Sequence, residues 1–533
     1  MTKRILSICL ALVLLFGVLA GCSKNEAQTA DDTKKTEQSD TEDKTSTQFA
    51  YQAQYFDLPE EIQWIGTSCV TGDTLYFTAS VPDGGKETYT DENGEEISYD
   101  TYSEVIFRFD LDTGECVQLD NYVAEPVTED PDAPDGVTMN PDGSMQVFNS
   151  STNIQTMAAG ADGTLWLFRQ TSRYADDGTE GDSISELIQL DAHGTLLRTI
   201  TPVSDEETDD TESWRYTYID SILSDDKGYV YTYDYQTVNV YGPDGSFVFS
   251  KSGDELNGQI CQLSASEVGM TASSADGKMV FKQLDPETKD WGKETPVSSR
   301  AWNILPGNDV YAYFFMDNGN IFGERRDNGE VEKVVDWMAC DVDSNNINSD
   351  QFGFLSDGRI VAVTYDYSDD GPSKQQILVL NRVDAASVTA KTELTLACLY
   401  LDYNLRSQIV KFNKSNPDYR IVVKDYSEYA TDDDYNAGLT KLNTEIISGK
   451  VPDLIVNGTG IPLAQYASKG LLEDLWPYID ADPEYSRDKF MMQPLNAAQT
   501  DGKLYQLPLD FGVTTAVGLG KVVGEYTTWT LAD

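Results

Sequence analysis

Groups able to do chemistry are unevenly supplied in this chain of 533 residues. There is one histidine, His193, so a Ser/His/Asp hydrolase or a histidine-rich metal site would rest on a single imidazole, and neither is expected. Carboxylates are abundant, 90 Asp and Glu against 38 Lys and Arg. Two of them flanking a glycosidic bond would suffice for hydrolysis. Their abundance removes any specificity from such a pair, and no catalysis is expected. Asp341-Val342-Asp343-Ser344-Asn345 begins like a calcium loop, yet Asn346 stands where that loop needs glycine and Phe352 where it needs a closing glutamate. An acidic turn is expected there instead. Cys69, Cys116, Cys261, Cys340 and Cys398 are widely and irregularly spaced, without a C-x-x-C pair. They read as small buried hydrophobes, not as a zinc, redox or disulfide framework. No metal and no cofactor are expected.

The formal net charge of -52 would repel phosphate backbones at every approach, which argues against nucleic acid as a partner. A hydrophobic share of 40% with 11% aromatics rules out disorder throughout and provides for several packed cores.

The N-terminus carries a specific signal. Lys3 and Arg4 precede an apolar run over 5–20, which turns polar at Ser23. That is the architecture of a secretory signal, and the run is shorter than the ~20 residues a spanning helix needs. Leu19-Ala20-Gly21-Cys22 resembles the lipobox of bacterial lipoproteins. The resemblance implies a signal peptide over 1–21 and a lipidated Cys22, with palmitate-type acyl chains holding the protein on the extracytoplasmic face of the cell membrane. Residues 23–48 contain no aromatic or β-branched aliphatic residue and cannot offset their ordering entropy by burial. Residues 22–49 therefore read as a flexible tether.

Residues 50–388 alternate short strand-forming runs with tight turns. One kind of unit is Asp226-Lys227-Gly228-Tyr229-Val230-Tyr231, repeated in style at 72–77, 161–168, 275–281 and 356–361. A second kind ends an apolar strand in another Asp-centred turn, as in Ile188-Gln189-Leu190-Asp191-Ala192-His193-Gly194, with counterparts at 107–114, 240–245 and 283–288. Asp-Gly supplies a turn that tolerates positive φ, and pairing the two kinds gives four-stranded groups. About six groups are expected, which resembles a β-propeller of six or seven blades, without a strict WD or kelch signature. A pair of β-sandwiches is the alternative. Ser224-Asp225-Asp226-Lys227-Gly228-Tyr229-Val230-Tyr231 is similar to the Asp-box of sialidases, a turn motif remote from the active site in that family.

From 392 to 533 the period changes. A strand over 393–400, an amphipathic helix over 404–413, a strand over 419–424, a helix over 435–448 and a strand over 452–456 alternate as in an α/β sheet. Four segments in order then resemble extracellular solute-binding proteins of the sugar-binding type. They are Asn404 onward through Phe412-Asn413-Lys414-Ser415-Asn416-Pro417, Gly449-Lys450-Val451-Pro452-Asp453-Leu454-Ile455, Gly470-Leu471-Leu472-Glu473-Asp474-Leu475-Trp476-Pro477, and Asp501-Gly502-Lys503-Leu504-Tyr505-Gln506-Leu507-Pro508.

The resemblance implies a cleft between two α/β lobes that delivers a solute, a sugar by type, to an ABC permease. By position it implies ligand contacts from Tyr400, Asp402 and Tyr403 after the first strand. Asn457, Thr459 and Gly460 would contribute from the loop after the 452–456 strand, and Asp510 and Phe511 from the hinge-proximal segment. Trp476 and Pro477 read as packing residues. The final residues, Thr528-Trp529-Thr530-Leu531-Ala532-Asp533, resemble the start of that family's next helix, so 392–533 is expected to be a first lobe only. The expected whole is a six- or seven-bladed propeller followed by a partial periplasmic-binding-protein-like lobe, acting in uptake of carbohydrate. A surface glycan hydrolase or protein-binding module with an accessory lobe is the alternative.

Overall fold

A computed structural model describes residues 49–508 apart from 63, 91–95, 124–136, 140–144, 148, 175–183, 204–217, 254–255, 257, 275, 318–319, 356, 367–373, 389, 431–433 and 459. The expected signal peptide 1–21, Cys22 and residues 23–48 of the expected 22–49 tether therefore lie outside the described residues, while Phe49 belongs to a strand and not to the tether.

Six four-stranded antiparallel sheets form a six-bladed β-propeller. Blade 1 covers 64–118, blade 2 149–200, blade 3 221–252, blade 4 260–296 and blade 5 304–335. Blade 6 takes three strands from 347–384 and its fourth from the other end of the domain: Phe49–Asp57 pairs antiparallel with Lys374–Asp384, from Phe49 opposite Asp384 to Asp57 opposite Gln376. In every blade the strand nearest the axis comes first in sequence, blade 6 included once its outer strand is set aside. This closure leaves no blade with an open face, the usual hazard of a β-structure.

Most strands do not alternate cleanly between apolar and polar residues, and the packing explains why. The buried side chains fall into six clusters, each shared by two neighbouring blades. In blade 1, Leu75 and Phe77 face blade 6, where they meet Val361, Val363, Ile377 and Val379. Tyr76 between them faces blade 2, against Leu165 and Leu167. A strand buried on both faces reads as a continuous apolar run; Thr237–Tyr241 is buried at all five positions. Phe314 of blade 5 and Phe354 of blade 6 stack with centroids 4.0 Å apart and planes within 4°.

The two kinds of Asp-centred turn occupy defined places. The second kind joins third to fourth strands in blades 1 to 4, and the first kind joins first to second strands in blades 1, 2, 3 and 6, with the 275–281 example joining second to third in blade 4. Asp191 Oδ1 accepts from the N–H groups of His193 and Thr195, both 2.8 Å, closing the turn. Gly194 then adopts φ 85°, and a Cβ there would stand 3.0 Å from Leu119 Cβ and 3.1 Å from the Tyr122 nitrogen. In the Asp-box-like turn, Asp225 accepts from Lys227 and Tyr229 nitrogens and from the Tyr231 hydroxyl at 3.1 Å. The carboxylate that closes the turn is thus one residue earlier than the motif's Asp226.

The innermost strands of blades 6, 1 and 2 all carry register breaks. Backbone groups released by these bulges are taken up by side chains of neighbouring blades. Gln375 accepts from the Ile65 N–H at 2.6 Å, Glu104 from the Ile154 N–H at 2.6 Å, and Thr67 from the Met157 N–H at 3.3 Å, while Gln351 donates to the Gly66 carbonyl. Burial pushes the Glu104 carboxyl above its ordinary range, against the pull of the Ile154 N–H and the Thr78 hydroxyl. A buried donor left unpaired costs about 1–3 kcal/mol, so these bridges hold the blades in register around the axis.

After blade 6 the chain enters a three-stranded parallel sheet, with Thr392–Cys398 between Tyr419–Asp425 and Leu454–Ile455. Helix α1 (Tyr403–Ser415) and helix α2 (Ala437–Ile447) make the crossovers. The five described cysteines are free thiols, Cys261 and Cys398 buried and the rest partly so. Among the described residues no group of three or more metal-ligating side chains converges, and no helix is long and apolar enough to cross a membrane.

Candidate functional site

The four family-like segments turn out to be structural ties, each explicable by its hydrogen bonds. Asn413, fully buried, donates to the Ile421 carbonyl at 3.0 Å and accepts from the Ile421 N–H at 2.7 Å, locking α1 to the second strand. Asn416 caps the turn before that strand, accepting from Asp418 and Tyr419 nitrogens. Asp453 Oδ2 accepts from the Thr395 N–H at 2.8 Å, setting the third strand against the first. Asp474 accepts from Trp476 and Leu504 nitrogens, which fastens the 470–477 segment to the Asp501-Gly502 hairpin. Asp501 and Gly502 both have positive φ, as a two-residue hairpin turn of this kind requires. Trp476 is buried with Ile479, Leu495 and Leu504.

These ties aim the strand ends. In a parallel α/β sheet, ligands are taken at the carboxyl ends, next to the point where strand order reverses. The order here is second, first, third, so the reversal lies at the first strand. Leu396 stands opposite Leu454 and Ala397 opposite Ile455, and the Val456 N–H donates to the Ala397 carbonyl at 2.9 Å. The loop bearing Tyr400 and Asp402, which enters α1 at Tyr403, and the loop bearing Asn457 and Gly460 therefore leave adjacent strands on the same side.

Tyr400 is 74% exposed and Tyr403 48% exposed. Asp402 accepts from the Asn404 N–H at 2.9 Å and caps α1, which holds its carboxylate at the helix N-terminus. Asn457 donates to Gln506 Oε1 at 2.8 Å. Gly460 has φ 91°, and a Cβ there would meet Leu439 of α2 at 3.2 Å. Thr459, Asp510 and Phe511 lie outside the described residues.

Three features near this edge were not singled out from the sequence. Gln506 enters only through its bond to Asn457. Beneath the edge, Glu445 accepts from the Tyr426 hydroxyl at 2.5 Å and from Lys424 at 2.9 Å. Burial alone would raise the Glu445 carboxyl, but the Tyr426 hydroxyl and Lys424 ammonium hold it below its ordinary value. Gly438 opens α2 against this network, where a Cβ would fall 2.0 Å from the Tyr426 carbonyl oxygen. No local sequence pattern marks such an approach.

A clamp between lobe and propeller was also missed. The acidic turn at 341–346, set between blades 5 and 6, holds α1. Asp343, only 6% exposed, accepts from the Ser407 hydroxyl, and Arg406 donates to Ser344 at 3.1 Å. Arg420 donates to the carbonyls of Met338 (3.3 Å) and Ala339 (2.9 Å) and to Asp341 (3.3 Å). Lys414 donates to the Tyr55 hydroxyl at 2.9 Å while lying 4.2 Å from that ring's centroid. Met338 packs into the lobe's own cluster of Leu396, Cys398, Leu401 and Ile409.

The propeller has a cavity of its own, about 630 Å³, on the face where the first strands end. Residues of all six innermost strands reach it, among them Cys69, Ala158, Ser224, Gln262, Pro306 and Phe354.

Residues 407–521 match the family described as bacterial extracellular solute-binding protein. Among curated proteins no sequence matches the chain. Solved structures similar to it include YCF48 from Cyanidioschyzon merolae, at TM-score 0.31 and 10% identity over 62% of this chain and 98% of that one. Others are oligogalacturonate lyase in complex with manganese, at 0.28 and 12% over 63% and 98%, and XC5397 from Xanthomonas campestris, a gluconolactonase, at 0.26 and 9% over 62% and 98%. Likenesses at this level carry no argument about activity. The chain joins a six-bladed β-propeller to a region, residues 407–521, that matches the bacterial extracellular solute-binding proteins.

Proposed function

We propose that this protein is the solute-binding component of an ABC importer, that its solute is a carbohydrate, and that it binds without catalysis. The observation that carries the reading is the pairing of two loops at the carboxyl ends of adjacent parallel strands, one bearing Tyr400 and entering α1 at Tyr403 and the other bearing Asn457, in a region that matches solute-binding proteins. An exposed tyrosine offers an apolar face to a sugar ring and a hydroxyl to its neighbours. Asn457 and Gln506 add amide donors and acceptors suited to hydroxyl groups.

The test is thermal unfolding of the full chain with a panel of mono- and oligosaccharides. A solute at 100 times its dissociation constant should stabilise the protein by about 2.7 kcal/mol. Tyr400→Ala should weaken that solute roughly ten-fold, equivalent to about 1.4 kcal/mol. Turnover of any sugar in the panel, or stabilisation indifferent to Tyr400→Ala, would sink this reading.

The same proposal places the protein on the outer face of the cell membrane through a lipid on Cys22. Two acyl chains give stable anchoring where one is marginal. Cys22→Ala should move the protein from the membrane fraction to the soluble fraction, and a salt-resistant membrane fraction unchanged in that variant would count against the anchor.

A further inference from the structure

The two faces of the propeller are told apart by the turns they carry. Every first strand starts, and every second strand ends, on one face. The opposite face carries the turns that join first to second and third to fourth strands, with the exposed acids Asp73, Asp226, Asp244, Glu287, Asp309 and Asp357. The first face carries exposed acids too, among them Asp57, Asp276 and Asp366, and with them large exposed aromatics. Trp64, 51% exposed, opens the first strand of blade 1; Tyr218, 47% exposed, lies three residues before that of blade 3; Trp302, 61% exposed, lies two residues before that of blade 5. Blades 1, 3 and 5 thus each present a large exposed ring at or shortly before the start of the first strand.

Two of these rings are held in place. Tyr235, 62% exposed, follows the second strand of blade 3 and lies parallel to Tyr218, with centroids 6.3 Å apart and planes within 11°. Asp220 accepts from both hydroxyls, from Tyr235 at 2.5 Å and from Tyr218 at 3.3 Å, and from Ser221 at 2.7 Å. Tyr235 also has φ 70°, a left-handed backbone that is costly for a bulky residue. So large an exposure leaves little burial to offset that cost, and strain of this kind gathers at ligand sites. Trp64 is likewise paired, 5.6 Å from Tyr365 of blade 6.

We propose that this face binds a neutral polysaccharide chain, with Trp64, the Tyr218/Tyr235 pair and Trp302 as successive stacking platforms. A pyranose ring presents apolar C–H faces and a hydroxyl rim, the complement of an aromatic ring beside a carboxylate such as Asp220. The chain's net charge of -52 disfavours a polyanionic polymer and leaves a neutral one unaffected. Rings already fixed by Asp220 lose less side-chain freedom on binding. Platforms on three blades gain from a polymer by multivalency, where a monosaccharide would reach only one. The choice of carbohydrate as the ligand class rests on the proposed function of the lobe; the location of the surface does not.

The test is affinity electrophoresis of the full chain through native gels containing galactomannan, xyloglucan or mixed-linkage β-glucan, with dextran sulfate as the anionic probe. At least one neutral polymer should retard the protein. Tyr218→Ala/Tyr235→Ala and, separately, Trp302→Ala should each weaken retardation by about ten-fold or more, with melting temperatures close to the parent's. Trp302→Ala keeps the test decisive should the double variant fail to fold. Retardation by none of the three neutral polymers, by dextran sulfate alone, or undiminished in Trp302→Ala overturns the proposal. Tyr400→Ala should leave gel retardation intact while reducing solute-induced stabilisation, and the Trp302→Ala variant should do the reverse, so the two readings fail separately.

Discussion

Removing Phe49–Asp57 should abolish cooperative folding of the propeller. This nine-residue strand is the outer strand of blade 6, although it precedes blade 1 in the chain. Without it, Lys374–Asp384 becomes an open edge, and the fully buried Ile377, Leu378, Val379 and Leu380 lose a covering neighbour. At a net contribution of about 1 kcal/mol per lost hydrogen bond, the deletion removes on the order of 5 kcal/mol or more. Domains have only about 5–15 kcal/mol of stability in total. Tyr55 also leaves, and with it the Lys414 contact to the lobe. Denaturant unfolding followed by near-ultraviolet circular dichroism is the measurement. A single sharp transition at the parent midpoint would show that the ring does not depend on this closure.

The second large effect is expected at the clamp. Arg420→Ala combined with Ser407→Ala should uncouple lobe from propeller, so that calorimetry shows two separate transitions where the parent unfolds in one. Arg420 satisfies two carbonyls and the Asp341 carboxylate, and Ser407 donates to a largely buried Asp343. Hydrogen bonds to charged groups are worth about 1.5–3 kcal/mol each, so the pair of substitutions should cost roughly 3–5 kcal/mol of docking. The effect should reach the ligand site, because α1 is both the clamped element and the helix that Asp402 caps beside Tyr400. Solute affinity should fall although neither substituted residue lies in the candidate loops. A thermogram indistinguishable from the parent's would refute the coupling.

Local hydrogen bonding was legible in the sequence. Asp-centred turns announce themselves because the carboxylate closes onto nitrogens two to four residues ahead, as Asp191 does with His193 and Thr195. The strand and helix order of 392–456 was legible for a similar reason: α1 carries its apolar positions at helical spacing and stops at Asn416, whose side chain turns the chain into the next strand. Pairing two kinds of turn leaves the count at six or seven blades, and the structure places it at six.

The sequence alone gave no sign of what depends on partners far along the chain. Gln375 reaches Ile65 across 310 positions, and Lys414 reaches Tyr55 across 359. The acidic run Asp341-Val342-Asp343 reads as an acidic turn because Asn346 and Phe352 depart from the calcium-loop spacing, but its role as the seat of α1 needs Ser407 and Arg406. The aromatic face is of the same kind. Trp64, Tyr218 and Trp302 are unremarkable residues far apart in the chain until the ring closes and brings the starts of blades 1, 3 and 5 onto one surface. Turn chemistry is short-ranged and therefore written locally, whereas faces, clamps and closures are set by which surfaces the ring brings together, and that only the tertiary structure decides.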